Sequence, residues 1–141
     1  MERCYMVDRS IVLEWVKKAE DDFQFVKNHL PHEETFFAIL CFHCQQAVEK
    51  YLKAVIVSSG RPFRKVHDLE ELLSVCIDID SSLESLRNET IKLQRYYVET
   101  RYPTVWPMGT EKRDADEALE AAQIVREQIF NSLHVQESEL I

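Results

Sequence analysis

The chain has 141 residues, of which 45% are hydrophobic and 30% charged, with only two glycines and a net charge of −8. That length suits one domain with a sizeable core, and so few glycines leave little for tight hairpin turns, which points to an all-α fold. The acidic balance argues against bulk, non-specific nucleic-acid binding but leaves room for a local basic cleft. No apolar run approaches the roughly 18 residues of a membrane span. The opening MERCYMVDRS lacks the apolar core of a signal peptide, so the expected location is the cytoplasm.

The first helix is expected over Ser10–Leu30, where Val12, Val16, Ala19, Phe23, Val26 and Leu30 recur at steps of four and three with Trp15 alongside. Asp8 or Ser10 can cap its start and Pro31 stops it. A second helix is expected over Glu33–Ser59, ended by Gly60. It is apolar on most sides at both ends, which marks it as the central helix. Phe36, Leu40, Cys44, Ala47, Tyr51 and Val55 form its core stripe. A second stripe, Ile39, His43, Gln46, Lys50, Lys53 and Val57, has a polar, basic middle that faces a partner, a ligand or water.

A basic connector, Arg61 to Val66, leads to a short third helix ending near Cys76, with His67 or Asp68 as its cap. Ser81-Ser82-Leu83-Glu84 has the spacing of a capping box for a fourth helix, whose inner stripe is Leu83, Leu86, Thr90, Leu93 and Tyr97. That helix runs toward Pro103 through a segment rich in tyrosine and arginine, including Tyr97, Arg101 and Tyr102; these are side chains suited to holding phosphates or stacking bases. The last helix is expected over Glu111–Leu133 with Ala115, Ala118, Ala122, Val125 and Ile129 on one face, small enough for close helix contact. An acidic tail, 134–141, is expected to fray. The sum is a single domain, 1–141, with its core at about 10–133, folded as a four-to-five-helix up-and-down bundle.

Four cysteines are present. Cys41 and Cys44 form a C-x-x-C within a helix, without the strand that precedes a redox motif or the second pair that a zinc site needs. They read, with Cys76, as buried structural thiols. No cofactor and no metal is implied.

Three stretches, CFHCQQAVEKYLKAV, VHDLEELL and TRYP, taken together resemble the HEPN family, the higher-eukaryote and prokaryote nucleotide-binding domains, over roughly residues 10–130. The resemblance implies a helical bundle that usually forms a homodimer. Stand-alone prokaryotic members are often encoded beside a small nucleotidyltransferase in two-component or toxin–antitoxin-like pairs. Many members are metal-independent ribonucleases whose signature is an arginine followed, after four to six residues, by a histidine at a helix end. Here Arg101 occupies the expected region, but Trp106, Pro107 and Met108 stand where the histidine would follow, and none accepts a proton. Arg61 and His67 have the formal spacing but lie between the second and third helices.

The resulting expectation is a nucleotide-binding and interaction module with a groove lined by Gln46, Lys50, Lys53, Tyr97, Arg101 and Tyr102. Lys50 and Lys53 lie within one turn, close enough to approach one anion. The opposing reading is a solvated face on which Glu49 and neighbouring acids neutralise them. Two alternatives stand beside the module. One is a variant RNA endonuclease, with Arg101 on the phosphate and His43 or His67 as the base. The other is a purely structural helical dimerisation protein or partner of a nucleotidyltransferase.

Overall fold

The computed structural model describes residues 7–62, 65–97 and 110–141; Cys4, Arg101, Tyr102 and most of the connector after the fourth helix lie outside the described residues. The described residues form five α-helices: α1 Arg9–His29, α2 Phe37–Ser58, α3 Leu69–Ile79, α4 Arg87–Gln94 and α5 Lys112–Leu133. The all-α bundle expected from the sequence is the observed fold. Helix α2 packs against α1, α5, α3 and α4. Thirteen of its 22 residues are buried, so it is the axis around which the others are arranged.

Local chemistry sets most of the boundaries. Asp8 accepts the Ser10 amide and starts α1. The chain leaves α1 through a 3-10 turn at Leu30–His32 that takes Pro31 in its first positions. Helix α2 starts four residues later than expected, at Phe37, and Phe36 is 61% exposed rather than part of the core. The remaining members of the expected core stripe, Leu40, Cys44, Ala47, Tyr51 and Val55, are all buried. Gly60 ends α2 with φ 76°, the left-handed conformation that glycine adopts without a side-chain clash.

Asp68, not His67, caps α3, accepting from the Glu70 and Glu71 amides. The expected capping box at Ser81–Glu84 does not form. Asp80 takes that role, accepting from the Ser82 amide and hydroxyl and from Ser132 on α5, while Glu84 turns forward to Arg87 at 2.7 Å. Ser81–Leu86 is consequently a 3-10 segment and α4 is only eight residues long. Past Gln94 the backbone tightens, with the Tyr96 and Tyr97 amides donating to Leu93 and Gln94 carbonyls. That change of pitch turns Tyr96 into the core and leaves Tyr97, expected on the inner stripe, half-buried at the surface.

The last segment is docked rather than frayed. His134 adopts φ 54° and the Val135 amide bonds Phe130 O, closing α5. Glu137–Leu140 then forms a 3-10 turn held by Arg9, whose guanidinium donates to both carboxylate oxygens of Glu139 and to His134 O.

Arg126 joins this turn to the interior. It lies over the Phe130 ring at 4.4 Å and the Phe23 ring at 5.2 Å, and donates to Glu20 and Glu137. Tyr51 adds a third hydrogen bond to Glu20. Burial opposes ionisation of Glu20, yet the bonds from Arg126 and Tyr51 outweigh it and hold the carboxyl below its ordinary value. Stability from Glu20 is therefore complete above the unfolded value of 4.5 and is lost as pH falls through the lower folded value. Removing one partner of a buried ion pair strands the other, so Arg126→Ala should destabilise the fold by about 3 kcal/mol, read as a lower urea midpoint at pH 7. The gap to wild type should narrow as the pH falls through the lowered value of Glu20, below which that carboxyl is protonated in both chains.

Candidate functional site

One turn of an α-helix brings residues i and i+4 to the same face. On α2 this places Gln45, Glu49 and Lys53 in a row, and all three are buried, at 0%, 4% and 5% exposed. Charged groups persist in a core only when paired. Glu49 meets that requirement with both oxygens: one accepts from Lys53 Nζ at 3.1 Å, the other from His67 Nδ1 at 3.1 Å. Lys53 also lies 5.8 Å from the centre of the Trp15 ring on α1.

His67 stands in the connector before α3, positioned by the neighbouring cap at Asp68 and by the Leu69 amide, which donates to the Gln94 side chain of α4 at 2.8 Å. Its ring stacks on Tyr97 at 5.3 Å, with 13° between the planes. A carboxylate only accepts, so the Nδ1 proton belongs to the bond with Glu49. In the neutral imidazole this makes Nε2 an acceptor, and the His67 side chain is half exposed. A buried carboxylate orienting a solvent-accessible imidazole is an arrangement suited to accepting and returning a proton.

A second carboxylate–histidine pair lies elsewhere on α2. Asp22 of α1 accepts from His43 Nδ1 at 2.8 Å and from the Lys50 ammonium. Burial opposes ionisation of Asp22, but the bonds from His43 and Lys50 prevail and lower its pKa. Phe25 and Phe42 rings flank His43 at 4.9 and 5.7 Å.

These positions divide the expected residues. Lys53, Tyr97 and His67 come together around Glu49. Lys50 and His43 belong to the Asp22 group, and each lysine has its own carboxylate rather than one shared anion. Gln46 donates sideways to Gln45 Oε1 at 2.8 Å. Arg101 and Tyr102 fall outside the described residues. Arg61 pairs with Asp78 at 3.8 Å. Cys41, Cys44 and Cys76 are free and buried, and desolvation pushes the thiol of Cys41 up to about 11 and that of Cys76 to about 12, which makes them poor nucleophiles and poor ligands.

Sequence reasoning gave Glu49 only a neutralising part and passed over Gln45 and Asp22. The spacing Gln45, Glu49, Lys53 carried the signal for the first two. Asp22 carried none, because its partners are on another helix.

The fold is an all-helical bundle of the HEPN type, and the family model described as the HEPN domain matches residues 12–133. The chain belongs to that family. It is 32% identical over 137 residues to a protein of Methanocaldococcus jannaschii named "Putative toxin MJ1304", covering 84% of this chain and 86% of the relative. Its fold is also that of the crystal structure of ST0689, an archaeal HEPN homologue, with a TM-score of 0.68 and 24% identity over 94% of this chain and 99% of that one. Among the described residues no helix is long and apolar enough to cross a membrane.

Gln45 also has an unpaired atom: its Nε2 is buried without a hydrogen-bond partner among the described residues. An unmet buried donor costs about 1–3 kcal/mol. Gln45→Met keeps the length of the side chain and removes that donor, so it should raise the unfolding free energy by about 1 kcal/mol in urea titration.

Proposed function

We propose that this chain is the HEPN component of a toxin–antitoxin-like pair, and that the site formed by Glu49, Lys53, His67 and Tyr97 takes a nucleotide or RNA phosphate ester. The observation that carries this reading is the Glu49–His67 hydrogen bond beneath the His67–Tyr97 stack. It presents an imidazole nitrogen and an aromatic face at one place, the elements needed to engage a ribose hydroxyl and a base. Arg101 follows Tyr97 by four residues in the sequence and is assigned the phosphate. The likeness to a relative named as a toxin supports the same reading. The working unit is a cytoplasmic homodimer, and its partner is a small nucleotidyltransferase that binds the bundle.

The fixed tautomer of His67 favours a second, catalytic reading, metal-independent RNA cleavage. Nε2 removes the proton from a ribose 2′-hydroxyl, the alkoxide attacks the adjacent phosphorus, and the bond to the 5′-oxygen breaks. The products are a 2′,3′-cyclic phosphate and a 5′-hydroxyl, the leaving oxygen taking up a proton.

Both readings have direct tests. A nucleotide present at about 100 times its Kd should stabilise the protein by about 2.7 kcal/mol, seen as a rise in Tm. That rise should vanish in His67→Ala. Wild-type protein that shows no shift with any nucleotide or short RNA would remove the binding reading. In a chelator, His67→Ala should slow RNA cleavage by about 10²–10⁴-fold, and an inert wild type would remove the catalytic reading alone. Co-expression with a small nucleotidyltransferase should yield a complex on size-exclusion chromatography.

A further inference from the structure

The turn that follows α4 has two sides. Tyr97 faces His67, whereas its neighbours Arg95 and Tyr96 face α5 and line a separate cleft of about 340 Å³. That cleft is bounded by Ile91 and Lys92 on α4 and by Arg113, Asp114, Glu117 and Ala118 on the first turns of α5. Three cations, Lys92, Arg95 and Arg113, share this lining with two carboxylates, Asp114 and Glu117.

Their settings differ in a way that matters. The Arg95 guanidinium lies 4.6 Å from the centre of the Tyr96 ring, bonds the Tyr96 hydroxyl and donates to Asp114 at 3.1 Å. It is held in place although 61% of its side chain is exposed. A planar guanidinium fixed on an aromatic face at a cleft mouth is pre-organised to donate to phosphate oxygens. Lys92 is exposed and makes no ion pair among the described residues. Arg113 has one loose pair, 3.9 Å to Glu111, with both side chains largely in water, and such a pair contributes little. Two of the three cations are therefore available to an incoming anion. Asp114 and Glu117 in the same lining disfavour a small bare anion. They suit a ligand that carries hydroxyl or amino donors along with its phosphates.

We propose that this cleft is a second subsite for an RNA strand, taking the phosphates and ribose hydroxyls of nucleotides that flank the one at His67. Tyr96 and Tyr97 are consecutive, so one strand crossing the turn after α4 reaches both sites. The ligand is then an oligonucleotide rather than a mononucleotide. This assignment rests on the reading of the Glu49–His67 site given above, and the experiment separates the two.

The test uses the double variant Lys92→Ala/Arg113→Ala, in which both changes are at exposed positions outside the His67 site. Binding of a fluorescent single-stranded RNA of about ten nucleotides is followed by anisotropy at several salt concentrations, and binding of a mononucleotide by calorimetry. Each phosphate contact on a single strand contributes about −0.7 to the slope of log K against log salt. The double variant should bind the oligonucleotide about tenfold more weakly with a slope shallower by about 1.4, and bind the mononucleotide as wild type does. His67→Ala should weaken both ligands. An unchanged oligonucleotide affinity and slope in the double variant overturns the subsite and leaves the His67 site standing. So does wild-type binding of the mononucleotide in preference to the strand. Wild-type protein that binds neither ligand overturns both assignments.

Discussion

Enclosure of α2 is the constraint on which the rest of the structure depends. Packed against four other helices, α2 keeps little solvated surface on which to place a charge, yet it carries Glu49 and Lys53 inside the bundle. Burial makes an unpaired ion intolerable. The carboxylate therefore satisfies Lys53 on its own helix and reaches out to His67 on the connector. Pairing at the centre fixes a group at the rim, so the candidate site follows from how the core is balanced electrostatically.

The same logic operates along α1. Glu20 and Asp22 face α2 from one side, and each collects two or more donors: Tyr51, Arg126 and Gln24 for the first, His43 and Lys50 for the second. Sliding α1 past α2 by a turn would separate Glu20 from the Tyr51 hydroxyl and Asp22 from His43 and Lys50 at once, so these bonds favour one register. Apolar packing supplies most of the stabilisation, and these bonds select one alignment of it.

Much of the fold was legible in the sequence because helical periodicity is a local property. The stripes of α1, α2 and α5, the stop at Gly60 and the alanines of α5 were all readable within a few turns. What could not be read depended on partners far along the chain. Asp80 displaced the expected capping box partly because Ser132, 52 residues away, bonds it. The final segment docked because Arg9, at the other end of the chain, holds Glu139. Tyr96 replaced Tyr97 in the core because α4 changed pitch after Gln94. Of the candidate site, Lys53 was legible from helical spacing on α2, and Tyr97 and His67 only as side-chain types near helix ends. Its central bond, Glu49 to His67, joins a helix to a loop and had no sequence period to announce it.

The Gln94 side chain has a consequence for recognition. By accepting the Leu69 amide it ties the end of α4 to the start of α3, and so keeps the two rings of the stack, His67 just before α3 and Tyr97 just after α4, in a common frame. A ligand closing on them need not freeze two independent loops. Most of the rotational freedom of those rings was surrendered when the chain folded, and the entropic cost of docking falls accordingly. Any ligand that engages this face meets two rings already held in register.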